Sequence, residues 1–281
     1  MLASTFFFSL MNVCIKQVAH IPEMEVVFFR CFVSLLLCLS IVFRDKLDWK
    51  GSNRKLLLAR GIFGTTALYT FFITLREMPL GTAVTIQYLS PVFTTIIAIF
   101  LLKEKVMPVQ WIFFAISFIG VIVIKGFDNS FSTSILIIGI ISALSSGFAY
   151  NMVRSLKEKE HPIVIVLHFQ LIGAIFGGMF CIFTWRMPQG WDWFYLIMIG
   201  VLTQLGQINL TKALQLERIA DVSIYNYLGV IYALIYGIVL FNEHYGWAAV
   251  MGIGLVLFGV LLNFFYTKKQ HEPDNMMSVE E

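Results

Sequence analysis

Ten apolar runs follow one another along this chain, at residues 2–19, 24–43, 56–75, 81–102, 107–124, 132–153, 163–184, 192–212, 219–241 and 246–266. A helix needs about 20 mostly apolar residues to cross a hydrocarbon core of roughly 30 Å. Each run is about that long, and the connections are short and marked by Pro, Gly or charge, as in "HIPEME", "REMPLG", "LKEKVMP" and "KGFDNS". No stretch between runs is long enough for a soluble domain. Composition removes the alternative of one large water-soluble core. The chain is 58% hydrophobic and only 13% charged, against roughly 25% charged in soluble domains, and its mean hydropathy is +0.81. The expected fold class is an all-α integral membrane protein with ten transmembrane helices.

The first run, "MLASTFFFSLMNVCIKQVA", has the apolarity of a signal peptide. It lacks a basic n-region and a small-x-small cleavage site, so it is read as a retained first helix. Cys14, Cys31, Cys38 and Cys181 all lie inside apolar runs without metal-ligand spacing, which predicts free thiols packing as small hydrophobes. No metal and no cofactor is expected.

Basic residues set the orientation. With an even number of spans both termini share one side. Placing them in the cytoplasm puts Arg44, Lys46, Lys50, Arg54, Lys55, Lys103, Lys105, Arg154, Lys157, Lys159, Lys212, Arg218, Lys268 and Lys269 inside. Only Lys16, Arg76, Lys125 and Arg186 then fall outside, with Arg30 and Arg60 within spans. The polar tail, 267–281, is expected to be disordered and cytoplasmic.

Two stretches of the chain match each other without a gap. "TAVTIQYLSPVFTTIIAIFLLKEK" aligns with "DVSIYNYLGVIYALIYGIVLFNEH" at the constant offset that separates Tyr88 from Tyr227, 139 residues. Gln87 then meets Asn226, Glu104 meets Glu243, Gly120 meets Gly259, Gly61 meets Gly200 and Asn12 meets Asn151. The offset covers five spans. Five is odd, so the second half enters the membrane from the opposite side. Two inverted five-helix repeats are expected, residues 1–125 (spans 1–5) and 132–266 (spans 6–10). Inverted repeats are an architecture of secondary transporters, with the substrate near the midplane between them.

These residues resemble the EamA-type branch of the drug/metabolite transporter superfamily, whose members have ten helices in two EamA repeats. The resemblance covers nearly the whole chain and is carried by "REMPLGTAVTIQYLSPVFTTIIAIFLLKEK", "FFAISFIGVIVIKG", "LERIADVSIYNYLGVIYALIYGIVLFNEH" and "MGIGLVLFGVLL". Gly81, Ala83, Pro91, Glu104 and Gly120 fit the family's small-residue entry to the fourth span, its proline, its closing glutamate and its late glycine. The second half departs from that pattern, with Val230 where the first half has Pro91. The resemblance implies transport of amino acids, nucleoside-like metabolites, drugs or S-adenosylmethionine-like compounds, in either direction.

Polar residues inside spans are costly facing lipid and so face the bundle interior. They concentrate in spans 1, 3, 4, 6, 8 and 9, which are expected to line a wet cavity, while spans 5 and 10 pack outside it. The expected substrate-binding set is Asn12, Tyr69, Gln87, Tyr88, Tyr150, Asn151, Gln204, Gln207, Tyr225 and Asn226. Amides supply donors and acceptors, and tyrosines supply a flat apolar face with a hydroxyl. Lys16 and Arg30 either contact an anionic substrate group or pair with Glu23, Glu25 or Glu77. Arg60 snorkels to the inner boundary. Pro91 serves as a hinge or a static kink. Glu104 and Glu243 cap the helices that follow them, and His168 is an interior polar group. All 17 acidic residues fall in loops, span ends or the tail, so the mid-span carboxylate of a proton relay is missing.

The expectation is a secondary carrier for a small amphipathic metabolite, in an inner cell membrane, as a monomer or homodimer. Its partners would be that small-molecule substrate and the bilayer, with no nucleic acid. The alternative is a channel or, further off, an intramembrane enzyme. No G-x-x-x-x-G-K-[ST], H-E-x-x-H or G-x-S-x-G is present.

Overall fold

A computed structural model describes residues 1–103, 106–127, 131–216 and 228–277, with the side chains of 127, 216 and 267–277 excepted. Glu104, Tyr225 and Asn226 therefore lie outside the described residues. All regular structure among the described residues is helical: α1 (Leu2–Gln17), α2 (Glu23–Arg44), α3 (Arg54–Glu77), α4 (Leu80–Gln87), α5 (Ser90–Leu101), α6 (Pro108–Phe127), α7 (Thr133–Ser155), α8 (Pro162–Thr184), α9 (Asp192–Leu216), α10 (Leu228–Phe241) and α11 (Trp247–Met277). Eight stretches are long and apolar enough to cross a membrane, with α4 and α5 together forming one of them, Leu80–Leu101. The helix α1 has 16 residues and α10 has 14. The chain is thus a multi-pass, all-helical membrane protein.

Local chemistry starts several of these helices. The Asn53 side chain accepts from the Leu56 amide at 3.3 Å, and Ser132 accepts from Ile135 at 3.3 Å, each satisfying an amide that has no partner within the helix. Pro162 occupies the first turn of α8, where a missing N–H is harmless. The last helix runs through Met277 rather than ending at 266 before a disordered tail. Once nucleated, a helix extends residue by residue on its own hydrogen bonds.

The outer surface is what lipid requires. Phe100, Ile182 and Phe183 are 78%, 79% and 85% exposed. Trp49, Trp185, Trp191 and Trp247 are exposed near helix ends, where amphipathic rings sit at the headgroup level.

The helices pair as α1 with α9, α2 with α8, α3 with α7, α4 with α10, and α6 with α11; α2 also meets α9, and α3 meets α8. Between α6 and α11 the backbones nearly touch. A Cβ on Gly120 would lie 2.7 Å from the Gly252 carbonyl oxygen and from the Val256 amide nitrogen. One on Gly259 would lie 2.6 Å from the Phe113 carbonyl oxygen and 2.8 Å from the Ser117 nitrogen. Small residues are what permit such approach in a membrane. On the other side of the bundle Gly61 seats Ile172, and Gly200 seats Val33.

The span expected at 81–102 is broken near its middle. Pro91 has no N–H for the Gln87 carbonyl, which interrupts the i→i−4 ladder. The last turn of α4 tightens instead: Tyr88 N–H bonds both Val84 and Thr85 carbonyls at 3.1 Å, and Leu89 N–H bonds Ile86 at 3.0 Å. Pro91 then stands in the first turn of α5. The break falls at Tyr88–Leu89, one turn ahead of the proline.

Candidate functional site

A cavity of about 150 Å³ lies inside the bundle. Its walls come from α1 (Thr5, Phe8, Met11, Asn12), α2 (Arg30), α3 (Arg60, Gly64, Ala67, Leu68, Phe71), α7 (Ser146, Ala149, Tyr150), α8 (Phe169) and α9 (Gln207, Leu210). Val84 and Gln87 of α4, Ser90 of α5 and the intervening Tyr88 complete it. The helix break is what delivers this last group. Irregular backbone at membrane depth is tolerated where it lines a cavity.

Gln87 is held by α7. Its Nε2 donates to Ser146 Oγ at 2.7 Å, and its Oε1 lies 2.8 Å from Ser142 Oγ, which also lies 2.7 Å from the Ala67 carbonyl. The Tyr88 hydroxyl packs against Gly229 of α10, which has room for it only because it lacks a Cβ.

Two guanidinium groups share one phenyl ring. Arg60 lies 4.3 Å from the Phe169 centroid and Arg30 lies 5.5 Å from it, within cation–π range. Gly64, one turn beyond Arg60, leaves the space that the guanidinium fills. Among the described residues no acidic side chain lines the cavity. Asn12 Oδ1, Arg30 Nε, Arg60 Nε and Gln207 Oε1 are buried without hydrogen-bond partners. A buried polar atom costs free energy unless it is satisfied, so a lined, unsatisfied cavity is chemically prepared for an occupant or for water.

The wall draws on both halves of the chain. The EamA-like transporter family matches residues 1–126 and 133–265. The chain belongs to that family. This EamA-like transporter is 29% identical over 269 residues to human solute carrier family 35 member G1, covering 89% of this chain and 74% of the relative. It is 26% identical to the pseudopaline exporter CntI of Pseudomonas aeruginosa, covering 87% and 84%. It is also 26% identical to an S-adenosylmethionine uptake transporter of Rickettsia felis, covering 89% and 85%. A solved crystal structure shares the fold at a TM-score of 0.72 over 96% of each chain, at 13% identity. The resemblance to EamA-type drug/metabolite transporters is borne out, and the protein is a membrane transporter rather than an enzyme.

In this EamA-like transporter the structure brings Asn12, Arg30, Gln87, Tyr88, Tyr150 and Gln207 to one cavity. It places four other expected site residues elsewhere. Asn151 is fully buried and ties α7 to α5, donating to the Thr94 carbonyl at 2.9 Å and to Gly147 at 3.0 Å. Gln204 belongs to a separate buried network: Ser34 Oγ donates to its Oε1 at 2.6 Å, its Nε2 lies 2.9 Å from Cys38 Sγ, and Gln170 donates to Ser34 at 2.9 Å. Tyr69 is half-buried and does not line the cavity.

Lys16 is also away from the cavity, paired with Glu243 and not with Glu23, Glu25 or Glu77. Glu243 caps α4, not the helix that follows it: the Leu80 amide lies 2.8 and 3.1 Å from its two oxygens. The reason is tertiary, since α10 ends beside the start of α4. Tyr245 donates to Glu243 at 2.5 Å and accepts from the Gly81 amide at 2.9 Å. Burial, with the neighbouring Glu243 carboxylate, pushes the Tyr245 hydroxyl well above the ordinary tyrosine range.

Sequence reasoning missed Arg60 and Phe169. Arg60 is 3% exposed and reaches the ring and not the interface. A basic residue in a span with a glycine four positions later was the available signal. His168, next to Phe169, bonds its own helix, with Nδ1 2.9 Å from the Val164 carbonyl.

Proposed function

We propose that this chain is a secondary carrier that moves a small amphipathic metabolite by alternating access, with Asn12, Arg30, Gln87, Tyr88, Tyr150 and Gln207 contacting the substrate. The observation that carries the reading is the interior cavity itself, bounded by both halves of the chain and lined by polar atoms without partners. Carriers place the substrate between repeats, so that rocking one half against the other exposes it to each face in turn. The relatives named for S-adenosylmethionine uptake and pseudopaline export are small-molecule transporters working in opposite directions.

The proposed architecture is ten spans in two inverted repeats, both termini in the cytoplasm, in an inner cell membrane. Contacts that trade places under the repeat offset support it. Gly61 seats Ile172 while Gly200 seats Val33, and these pairs are each other's images at 139 residues. Gly120 meets Gly252 and Val256 while Gly259 meets Phe113 and Ser117, again image for image. Contacts of this kind are what a two-fold relation between the halves would produce. The distribution of Lys and Arg supports the orientation.

Counterflow in proteoliposomes tests the function. Solutes are first screened for thermal stabilisation of the purified protein, and the best stabiliser is then loaded inside. A carrier accelerates uptake of the labelled solute; equal rates with and without internal solute are the channel result and overturn the reading. Tags at the two termini test the topology, and labels on opposite faces would end it.

A further inference from the structure

We infer that the cavity is built for a small organic dianion, two acidic groups on a short spacer, with Arg30 and Arg60 each holding one of them. This narrows the carrier reading above and rests on it for the statement that the ligand is a substrate.

Arg30 and Arg60 are 2% and 3% exposed. A guanidinium stays charged in proteins and offers five N–H donors in a rigid fork. Among the described residues, Arg30 makes one weak side-chain contact, Nη1 to Cys31 Sγ at 3.7 Å, and the Nε atoms of both arginines have no partner. Among the described residues the ion pairs of the bundle use other side chains, and no carboxylate reaches either guanidinium. Two like charges are therefore held close together, on one aromatic ring, with most of their donors unspent. They cannot be further apart than the sum of their distances to the Phe169 centroid, 4.3 and 5.5 Å. Buried charges are ordinarily paired. The missing counter-charge is what an anionic ligand supplies, and one guanidinium fork matches one carboxylate or phosphate in bidentate fashion.

The rest of the wall sets the ligand's other properties. The volume of about 150 Å³ is on the order of ten water positions, more than an inorganic ion needs. Phe8, Leu68 and Phe71 provide an apolar surface for a hydrocarbon spacer. A cationic ligand finds no acidic partner among the described lining residues. The charge is also one-sided. Both arginines lie in the first half, and the position 139 residues beyond Arg30 is Phe169, the ring on which both rest.

The test is equilibrium binding to the purified full-length protein in detergent, by calorimetry, with malonate, succinate and glutarate as probes. Butyrate serves as the single-carboxylate control, glycerol 3-phosphate as a single phosphate head and 1,4-diaminobutane as the cation. The expected result is dicarboxylate binding with an optimum spacer length, and butyrate weaker by roughly 10-fold or more. Arg30→Gln and Arg60→Gln should each weaken the best dicarboxylate by roughly 10- to 100-fold. Should either variant fail to fold, the wild-type series decides alone. Equal affinity for butyrate and succinate overturns the two-group assignment, as does binding of glycerol 3-phosphate alone or of the diamine alone. Absence of any dicarboxylate binding, in a protein that shows counterflow of another solute, overturns the inference and leaves the carrier standing. Dicarboxylate binding without counterflow does the reverse.

Discussion

Replacing Lys16 by methionine should loosen one end of the bundle by a measurable amount. Lys16 pairs with Glu243, donates to the Met78 carbonyl at 3.3 Å and lies 5.3 Å from the Phe241 ring. The two paired side chains are only 15% and 10% exposed, so solvent screens them little. Removing one partner of a buried pair costs about 3–5 kcal/mol, because the other charge is stranded. Here Glu243 keeps the Leu80 amide and the Tyr245 hydroxyl, and the cluster sits at a helix end. Those two donors relieve part of the penalty, and about 1–3 kcal/mol is the expected loss. Methionine retains the stem's packing, so the loss reports the charge.

A double-mutant cycle separates this pair from its surroundings. Lys16→Met, Glu243→Gln and the double variant are unfolded in parallel, by heat or by titration with a denaturing detergent. Glutamine still accepts from the Leu80 amide. The expected coupling is about 1–3 kcal/mol, with the double variant losing less than the two single losses together. Additivity within about 0.5 kcal/mol would refute the argument. It would mean that Glu243 serves α4 alone and that Lys16 adds nothing to the tie between the two halves.

Gly120→Ala should destabilise by about 1–3 kcal/mol, because its Cβ would meet backbone atoms of α11 at 2.7 Å. Gly126→Ala, whose Cβ meets nothing within 4 Å, should stay within about 0.5 kcal/mol of wild type in the same unfolding assay. Gln207→Ala should abolish transport while leaving the protein inserted and folded, and so should Gln87→Ala; normal counterflow in both would remove them from the site. Gln204→Ala should instead lower stability by about 1–3 kcal/mol by stranding the Ser34 hydroxyl and the Cys38 thiol, with transport retained by the folded fraction. Tyr245→Phe should remove one late step from an ultraviolet titration of the tyrosines, above the ordinary value of about 10. A tyrosine whose folded-state value is raised contributes stability that is present below the unfolded value and lost as pH rises through the folded one. Wild type should therefore lose stability above about pH 10 more steeply than the variant.

Much of this was readable in the sequence because a bilayer leaves few options. Runs of apolar residues with polar breaks at regular intervals read as spanning helices, and "QYLSP" inside one of them places polar groups and a helix breaker at depth, where they are expected to face the bundle interior. What the sequence could not supply is which helices touch. Gln204 and Gln207 are three residues apart on α9, yet one meets Ser34 of α2 and the other opens onto the cavity. Lys16 and Arg30 are both basic residues near one end of their spans, yet only Lys16 finds a carboxylate, because α10 happens to end beside it. Asn12 and Asn151 are images under the repeat, and the oxygens of both lack a partner, but Asn151 Nδ2 reaches the Thr94 carbonyl of α5 while Asn12 opens onto the cavity. Arg60 meets Phe169 across the contact between α3 and α8, a pairing that no local pattern announces.

On the proposed two-fold arrangement, the places where symmetry holds and where it fails are informative. It holds at the glycines that let backbones approach, Gly61 with Gly200 and Gly120 with Gly259. Each is a packing position, and equal packing in the two halves is what allows them to exchange conformations at little cost in free energy. It fails inside the cavity. Arg30 corresponds to Phe169, Arg60 to Ile199 and Gln207 to Leu68. Both charges gather on the first half, and their aromatic platform lies on the second. Selection for a reversible rocking motion acts on the scaffold, and selection for a particular solute acts against that same symmetry at the few positions where the solute is touched. The side chains that break the repeat inside the cavity are therefore the ones whose exchange should change what is carried, while the glycines that keep it should change only whether the protein folds and moves.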